Sequence, residues 1–354
     1  MPESRIVAAL RQDGHIELVK EPVPPVGRGT VLVQVRASLV SPGTELGGWR
    51  RLKERREEGR ESSEDAAAPP RKFGYANAGV VLAAGAEVEG LAPGDRVACM
   101  GGGYALHTDT AVVPQQLCAP LPEEVSFGQG AYAHLAATAL HAVRRGRPEI
   151  GGYAAVAGLG LVGQLTARLH QLAGCYVTGW DTIRFRVETA RKWGIDDAVQ
   201  AGEKDAVERT LRFTRGRGLD TAVIAFGGRA DGALRDLTAC MKRSPDGHRM
   251  GRIVVVGGAE FTYPSETTNL DVIRSSRTGP GYHDDGWERG DPYPPVFVRW
   301  DTRSNLELVL RFMAEGKLDV DSLTTHRVPI AEADQAMGDL LADPDALLGV
   351  VLEY

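Results

Sequence analysis

The chain has 354 residues, 43% of them hydrophobic, with 43 Gly, 4 Cys and a formal charge of -6. That length suits about two domains with real cores, and Cys99, Cys118, Cys175 and Cys240 are too few and too scattered to staple a small secreted scaffold, so a reducing, cytoplasmic setting is expected. The balance of 41 basic against 47 acidic residues gathers neither nucleic acid nor anionic lipid, and no apolar run reaches the roughly 18 residues of a membrane span.

Up to about residue 125, short β-rich runs such as 30–39 (TVLVQVRASL) and 79–83 alternate with Pro and Gly, which predicts a small, irregular all-β unit. Between them, residues 50–65 (RRLKERREEGRESSED) carry dense charge of both signs. Such a stretch cannot enter a core, so it reads as a solvated helix or an excursion, with a binding lid as the lesser alternative.

From about Tyr132 the texture changes. A strand is predicted at 153–157 (YAAVA), a helix at 161–172 and strands at 176–179, 221–225 and 252–256, with helical sequence between them. This alternation predicts an α/β domain with a doubly wound parallel sheet. Residues 279–295 (GPGYHDDGWERGDPYPP) read as an irregular loop, 305–315 as an amphipathic helix and LLGVVLEY as a closing strand.

Gly158, Gly160 and Gly163 form a GxGxxG between the YAAVA strand and the following helix. The first Gly permits a tight turn, the second lets backbone approach a pyrophosphate, and the third lets helix and strand pack closely. The whole turn, with Leu159, Leu161 and Val162, offers helix N-terminal N–H groups to the phosphates. Asp181 ends the next strand, placed to accept hydrogen bonds from the adenosine ribose. A carboxylate there favours NAD, while Arg184 and Arg186 nearby keep NADP open.

The order of these features resembles the medium-chain dehydrogenase/reductase family, alcohol-dehydrogenase-like proteins with a GroES-like catalytic domain and a Rossmann domain. The resemblance runs through VLVQVRAS, PGDRV, TALHAV, AGLGLVG and THRVPIAEADQAM. SPGTE at 41–45, FGYANAGVV at 73–81, SSRTGPGYHDD and VRW further resemble the dehydrogenase half of bacterial bi-domain oxidoreductases. It implies catalytic-domain residues at 1–138, a Rossmann domain at 139–280 and a return to the catalytic domain at 281–354, in a homo-oligomer.

Zinc-containing members place a Cys where this chain has Pro42, His-Glu where it has Tyr75 and Ala76, and a Cys or acid where it has His134. A catalytic zinc needs about three ligands, so its absence is expected. CMGGGYALH stands where the four-Cys structural lobe would lie, and that zinc is expected to be absent too. His134 and His141 cannot share an ion, being seven residues apart on a predicted helix and about 10.5 Å along its axis.

What remains for proton transfer is Thr44, which matches the family's hydroxyl relay, with Tyr75 and His134 in vacated ligand positions. A Tyr acid would need a neighbouring positive charge to lower its pKa. Thr138 matches the Thr that packs on the nicotinamide. Arg277, Tyr282, His283 and Arg299 are substrate candidates, with Asp284 and Tyr293 beside them, and this mix suits a polyhydroxylated molecule. Glu45 and His107 fall near cleft positions without an assigned role. The resulting expectation is a zinc-independent NAD(P)-linked oxidoreductase acting on a secondary alcohol or ketone of a sugar or cyclitol. An enone reductase and a non-catalytic dinucleotide sensor or partner subunit are the alternatives.

Overall fold

The computed structural model describes residues 2–59, 69–202, 206–263 and 269–354. The chain divides into two compact units, one made of residues up to His134 together with Gly279–Tyr354, the other of Leu135–Thr278.

The first unit is built around the strand Thr30–Val40, whose run of β-branched residues is buried along almost its whole length. One edge pairs antiparallel with Ala76–Ala84, and the other is shared between Thr110–Pro114 and the closing strand Gly349–Glu353. Register shifts between Leu32 and Val33 and between Val35 and Ala37 mark irregularities that bend the strand. Ala76–Ala84 pairs in turn with Arg96–Met100. A smaller sheet holds Ile16–Pro22, Ser4–Leu10 and the two-residue strand Arg71–Lys72. The late return of the chain is therefore structural, since Val350 and Leu352 pack with Ala8, Leu10, Val40 and Met337 in one core.

The second unit is a parallel sheet in the spatial order Asp197–Gln200, Tyr176–Asp181, Tyr153–Ala157, Thr221–Ile224, Met250–Val256, Asn269–Ser275. Counted along the chain this is the 3-2-1-4-5-6 arrangement of a dinucleotide-binding sheet. Its central strand shows why the apolar run is continuous. Ala155 and Ala157 face one core cluster while Ala154 and Val156 face the other, as a strand covered on both sides requires. The outer strands DAVQ and NLDVIRS are more polar and carry a weaker apolar signal, which is why the sequence pattern did not mark them.

Two expectations change. Residues 279–295 are not irregular throughout: Asp285–Arg289 is a short helix, capped by Asp284, whose Oδ1 accepts from Trp287 N–H. Tyr293 donates to Asp284 Oδ2 at 2.6 Å, and its ring stacks on buried Trp287. The charged segment begins as the helix Gly47–Glu57, and its part from residue 60 to 65 lies outside the described residues.

Candidate functional site

In the second unit the turn after Tyr153–Ala157 has the shape a pyrophosphate requires. Gly158 has φ +92°, a left-handed conformation costly for any other residue, and its N–H donates to Trp180 O at 2.7 Å. A Cβ at Gly163 would lie 1.7 Å from Gly158 O, so the helix Leu161–Leu172 sits directly on the turn. A Cβ at Gly160 would meet nothing within 4 Å. Gly160 is also the helix N-cap and supplies no side-chain acceptor, leaving first-turn N–H groups for a ligand. This open cradle, with the N–H groups of Leu161 and Val162 at its helix end, fits a dinucleotide pyrophosphate.

Asp181 is buried at the end of its strand. Oδ2 accepts from Leu159 N–H at 2.6 Å and Oδ1 from Ile183 N–H at 2.8 Å, so the carboxylate first braces the turn and then has lone pairs left for ribose hydroxyls. Arg186 Nη1 stands 3.8 Å from Asp181 Oδ2, whereas exposed Arg184 is engaged with Glu188. Of the two arginines, Arg186 is the one held at the acid. Thr138 is half-buried on the helix Ala133–Gly146.

The first unit gathers the remaining chemistry around Ser41–Glu45. Pro42–Leu46 forms a wide π-type turn that leads into the helix Gly47–Glu57. Glu45 folds back so that Oε2 accepts from Ser41 N–H at 2.7 Å. Its side chain is 5% exposed, and Oε1, which accepts no well-aligned hydrogen bond among the described residues, lies 3.4 Å from His107 Nε2. His107 is fully buried, with Nε2 3.4 Å from the carboxylate and Nδ1 2.7 Å from Ser38 Oγ, which lies 2.9 Å from Tyr354 OH. A continuous polar chain thus runs from Tyr354 to Glu45.

Tyr75 and His134 are brought together. Their ring centroids lie 4.7 Å apart, and His134 Nδ1 donates to the Tyr75 carbonyl at 2.8 Å. Burial pushes His134 down to about 4, against the opposing effects of the Tyr75 carbonyl and the Glu45 charge, so the ring is neutral. Tyr75 is shifted the other way. Burial, reinforced by the charge of Glu45, holds its phenol above the ordinary value of 10, while side-chain hydrogen bonds with Ser41 and Thr44 partly offset this. The positive neighbour that would lower it is not among these causes, so Tyr75 is a hydrogen-bond donor that keeps its proton. Tyr282 completes the group: its OH accepts from Gly102 N–H at 2.7 Å and its ring meets His134 edge-on at 6.2 Å.

A cavity of about 540 Å³ opens on Thr44, Glu45 and Tyr75. His283 is exposed and stacks on Tyr282 at 3.9 Å. Arg299 is exposed and lies over the Trp300 ring, outside this cavity's lining, and Arg277 is an exposed residue of the other unit. Ser38 and Tyr354 escaped the sequence reading, because no local pattern says that the final residue meets position 38.

Pro42 and Ala76 offer no donor atom for a zinc ion, and among the described residues no three His, Cys, Asp or Glu side chains are grouped to hold a metal.

Residues 27–145 match the family model of the alcohol dehydrogenase GroES-like domain, and residues 162–282 that of the zinc-binding dehydrogenase. The L-threonine 3-dehydrogenase of Pyrococcus horikoshii is 26% identical over 92% of this chain and 92% of its own. Mouse (Mus musculus) sorbitol dehydrogenase is 26% identical over 91% of this chain and 89% of its own. The crystal structure of a short chain alcohol dehydrogenase from E. coli CFT073, complexed with NADH, superposes with a TM-score of 0.73 at 17% identity, covering 100% of both chains. The two domains and these relatives define an oxidoreductase. The chain belongs to the medium-chain dehydrogenase/reductase family.

Proposed function

We propose that this chain is a zinc-independent, NAD(P)-dependent dehydrogenase that interconverts a secondary alcohol and a ketone on a polyhydroxylated substrate. The observation that carries the reading is the Glu45 carboxylate, 5% exposed and 3.4 Å from His107 Nε2, which shares one cavity lining with Thr44 and Tyr75. When bound, the nicotinamide supplies or accepts the hydride, and the protein must manage the proton.

Oxidation of a carbinol releases a proton from its hydroxyl, and the carboxylate of Glu45, a residue of the cavity lining, is the group that accepts it. Thr44 orients the hydroxyl and Tyr75 donates a hydrogen bond to the same oxygen, stabilising charge that develops there. In reduction Tyr75 polarises the carbonyl and the proton returns from Glu45. His134, neutral and bound to the Tyr75 carbonyl, positions the ring rather than carrying the proton. Gly158 to Gly163 with Asp181 hold the dinucleotide, with Asp181 favouring NAD and Arg186 leaving NADP admissible. The named activity of the mouse relative, a sorbitol dehydrogenase, supports a polyol-like substrate.

The proton held on Tyr75 also favours a second reading, reduction of a carbon–carbon double bond conjugated to a carbonyl, which needs only such a donor. One experiment separates the two. Purified protein is incubated with NADH or NADPH and a panel of ketoses, inososes and cyclic enones, and the products are identified. Alcohol formation supports the dehydrogenase, and a saturated ketone supports the alternative. Tight cofactor binding without turnover, unchanged in Tyr75→Phe and Glu45→Gln, overturns both in favour of a dinucleotide-binding sensor.

A further inference from the structure

The cavity that receives Glu45 has a second polar end. Arg71 and Lys72 form the two-residue strand that pairs with Ala9 and Leu10, and both side chains line the cavity. Arg71 leans over the helix Gly47–Glu57: a Cβ at Gly48 would lie 3.2 Å from its Nη2. Gly48 is about one helical turn beyond Glu45, and Arg71 and Glu45 line the same cavity.

The charges do not cancel at that end. Lys72 Nζ and Arg5 Nη2 share one acid, Glu21, at 2.5 and 2.7 Å. That leaves a surplus positive charge, and among the described residues no acid pairs with Arg71. Glu45 brings a negative charge to the same lining, and Phe73, Leu106 and Met337 supply apolar surface. Low-dielectric walls strengthen a charge–charge contact made inside them, and a guanidinium presents paired donors suited to an oxyanion. A neutral polyol would use none of this.

We infer that the substrate carries an anionic group, a carboxylate or a phosphate, which Arg71 holds with help from Lys72 while its reacting hydroxyl lies against Glu45. This rests on the proposed role of Glu45 and narrows the substrate class from polyhydroxylated molecules to their acidic derivatives.

The test is calorimetric titration of the full chain at fixed ionic strength with saturating NADH, which keeps the dinucleotide turn from binding phosphate. The probes are sorbitol, gluconate and sorbitol 6-phosphate, which share a carbon skeleton and differ in charge. At least one anion is expected to bind about tenfold or more tightly than sorbitol, and Arg71→Gln is expected to shrink that advantage to about twofold or less with NADH binding unchanged. Arg71 is exposed, so its loss leaves the fold intact; Arg71→Gln combined with Lys72→Gln covers the case in which either cation suffices. Preference for gluconate assigns a carboxylate, and preference for the phosphate ester assigns a phosphate. The inference is overturned if neither anion outbinds sorbitol, if none of the three binds at about 1 mM, near the top of ordinary KM values, or if the advantage survives the double substitution. Failure of the dehydrogenase reading shows differently, as intact anion binding with no nicotinamide turnover on any alcohol or ketone.

Discussion

His134 Nδ1 donates to the main-chain carbonyl of Tyr75 at 2.8 Å while the two rings stand 4.7 Å apart. The bond ties the backbone of Tyr75 to the side chain of His134, the two candidate residues of the site. His134→Asn retains a donor of similar reach and should keep kcat within about fivefold, under the factor that 1.4 kcal/mol represents. His134→Ala leaves a buried carbonyl unmatched and should cost about 1–3 kcal/mol of stability, with a larger fall in kcat and unchanged cofactor affinity. Because His134 is held at about 4, the wild-type rate profile should show no acid limb from this ring above about pH 5. A limb near pH 6.5 that disappears in His134→Asn would show that the ring carries the proton after all.

Glu45→Gln removes the carboxylate and keeps its shape. Turnover should fall by about 10²–10⁴-fold, the usual contribution of a positioned base, with the NADH dissociation constant unchanged. The same change lifts the negative charge that helps hold the Tyr75 proton, so the Tyr75 titration, read as the ultraviolet difference from Tyr75→Phe, should move down. Full activity in Glu45→Gln would remove Glu45 from the mechanism.

The two later glycines of the dinucleotide turn should fail in different ways. Ala fits at Gly160, with φ -64° and nothing within 4 Å of its Cβ, so thermal stability should hold while the methyl occupies ligand space. NADH binding should weaken by about tenfold or more. At Gly163 the methyl would sit 1.7 Å from Gly158 O, which should cost about 1–3 kcal/mol as an overpacked contact. Thermal melts and fluorescence titration with NADH separate the cases; normal NADH binding by Gly160→Ala would show that the cradle is not the pyrophosphate site.

If side chains alone carry the proton chemistry, prolonged chelation should leave turnover intact, and elemental analysis of active protein should find far less than one zinc per chain. Activity lost on chelation and restored by zinc would refute the zinc-independent reading.

His170 offers a stability test within the second unit. It is fully buried on the helix Leu161–Leu172 with Nδ1 bonded to Thr166 O at 2.9 Å, and burial lowers it from 6.5 to about 4. The folded state therefore binds fewer protons than the unfolded chain between these values. Its stabilising effect is complete above 6.5 and is lost as pH falls toward 4, by up to about 1.4 kcal/mol per pH unit. Urea unfolding at about pH 7.5 and about pH 5 should show a smaller pH dependence in His170→Gln than in wild type. Equal dependence would mean that the ring is not the titrating group.

Much of the frame was legible in the residues. YAAVA, GxGxxG and Asp181 define a strand, a turn and a second strand by purely local rules of periodicity and steric need, and the helix Leu161–Leu172 has the predicted bounds. The short helix Asp285–Arg289 was hidden in a Gly- and Pro-rich stretch, and part of what holds it is long-range: Gln115 Nε2 donates to the Arg289 carbonyl at 2.5 Å.

The chemistry divides along the same line. The sequence carries, through its resemblance to the medium-chain family, the expectation that Pro42, Tyr75 and Ala76 stand in metal-ligand positions, and a proline or alanine side chain offers no donor wherever the fold puts it. It could not determine that Glu45 would be buried against His107, that Ser38 would meet Tyr354, or that Arg71 would share a cavity with Glu45. Those relations join residues far apart in the chain through sheet register and helix packing, and burial, which sets the state of Tyr75 and His134, is a property of the whole fold and not of any one segment.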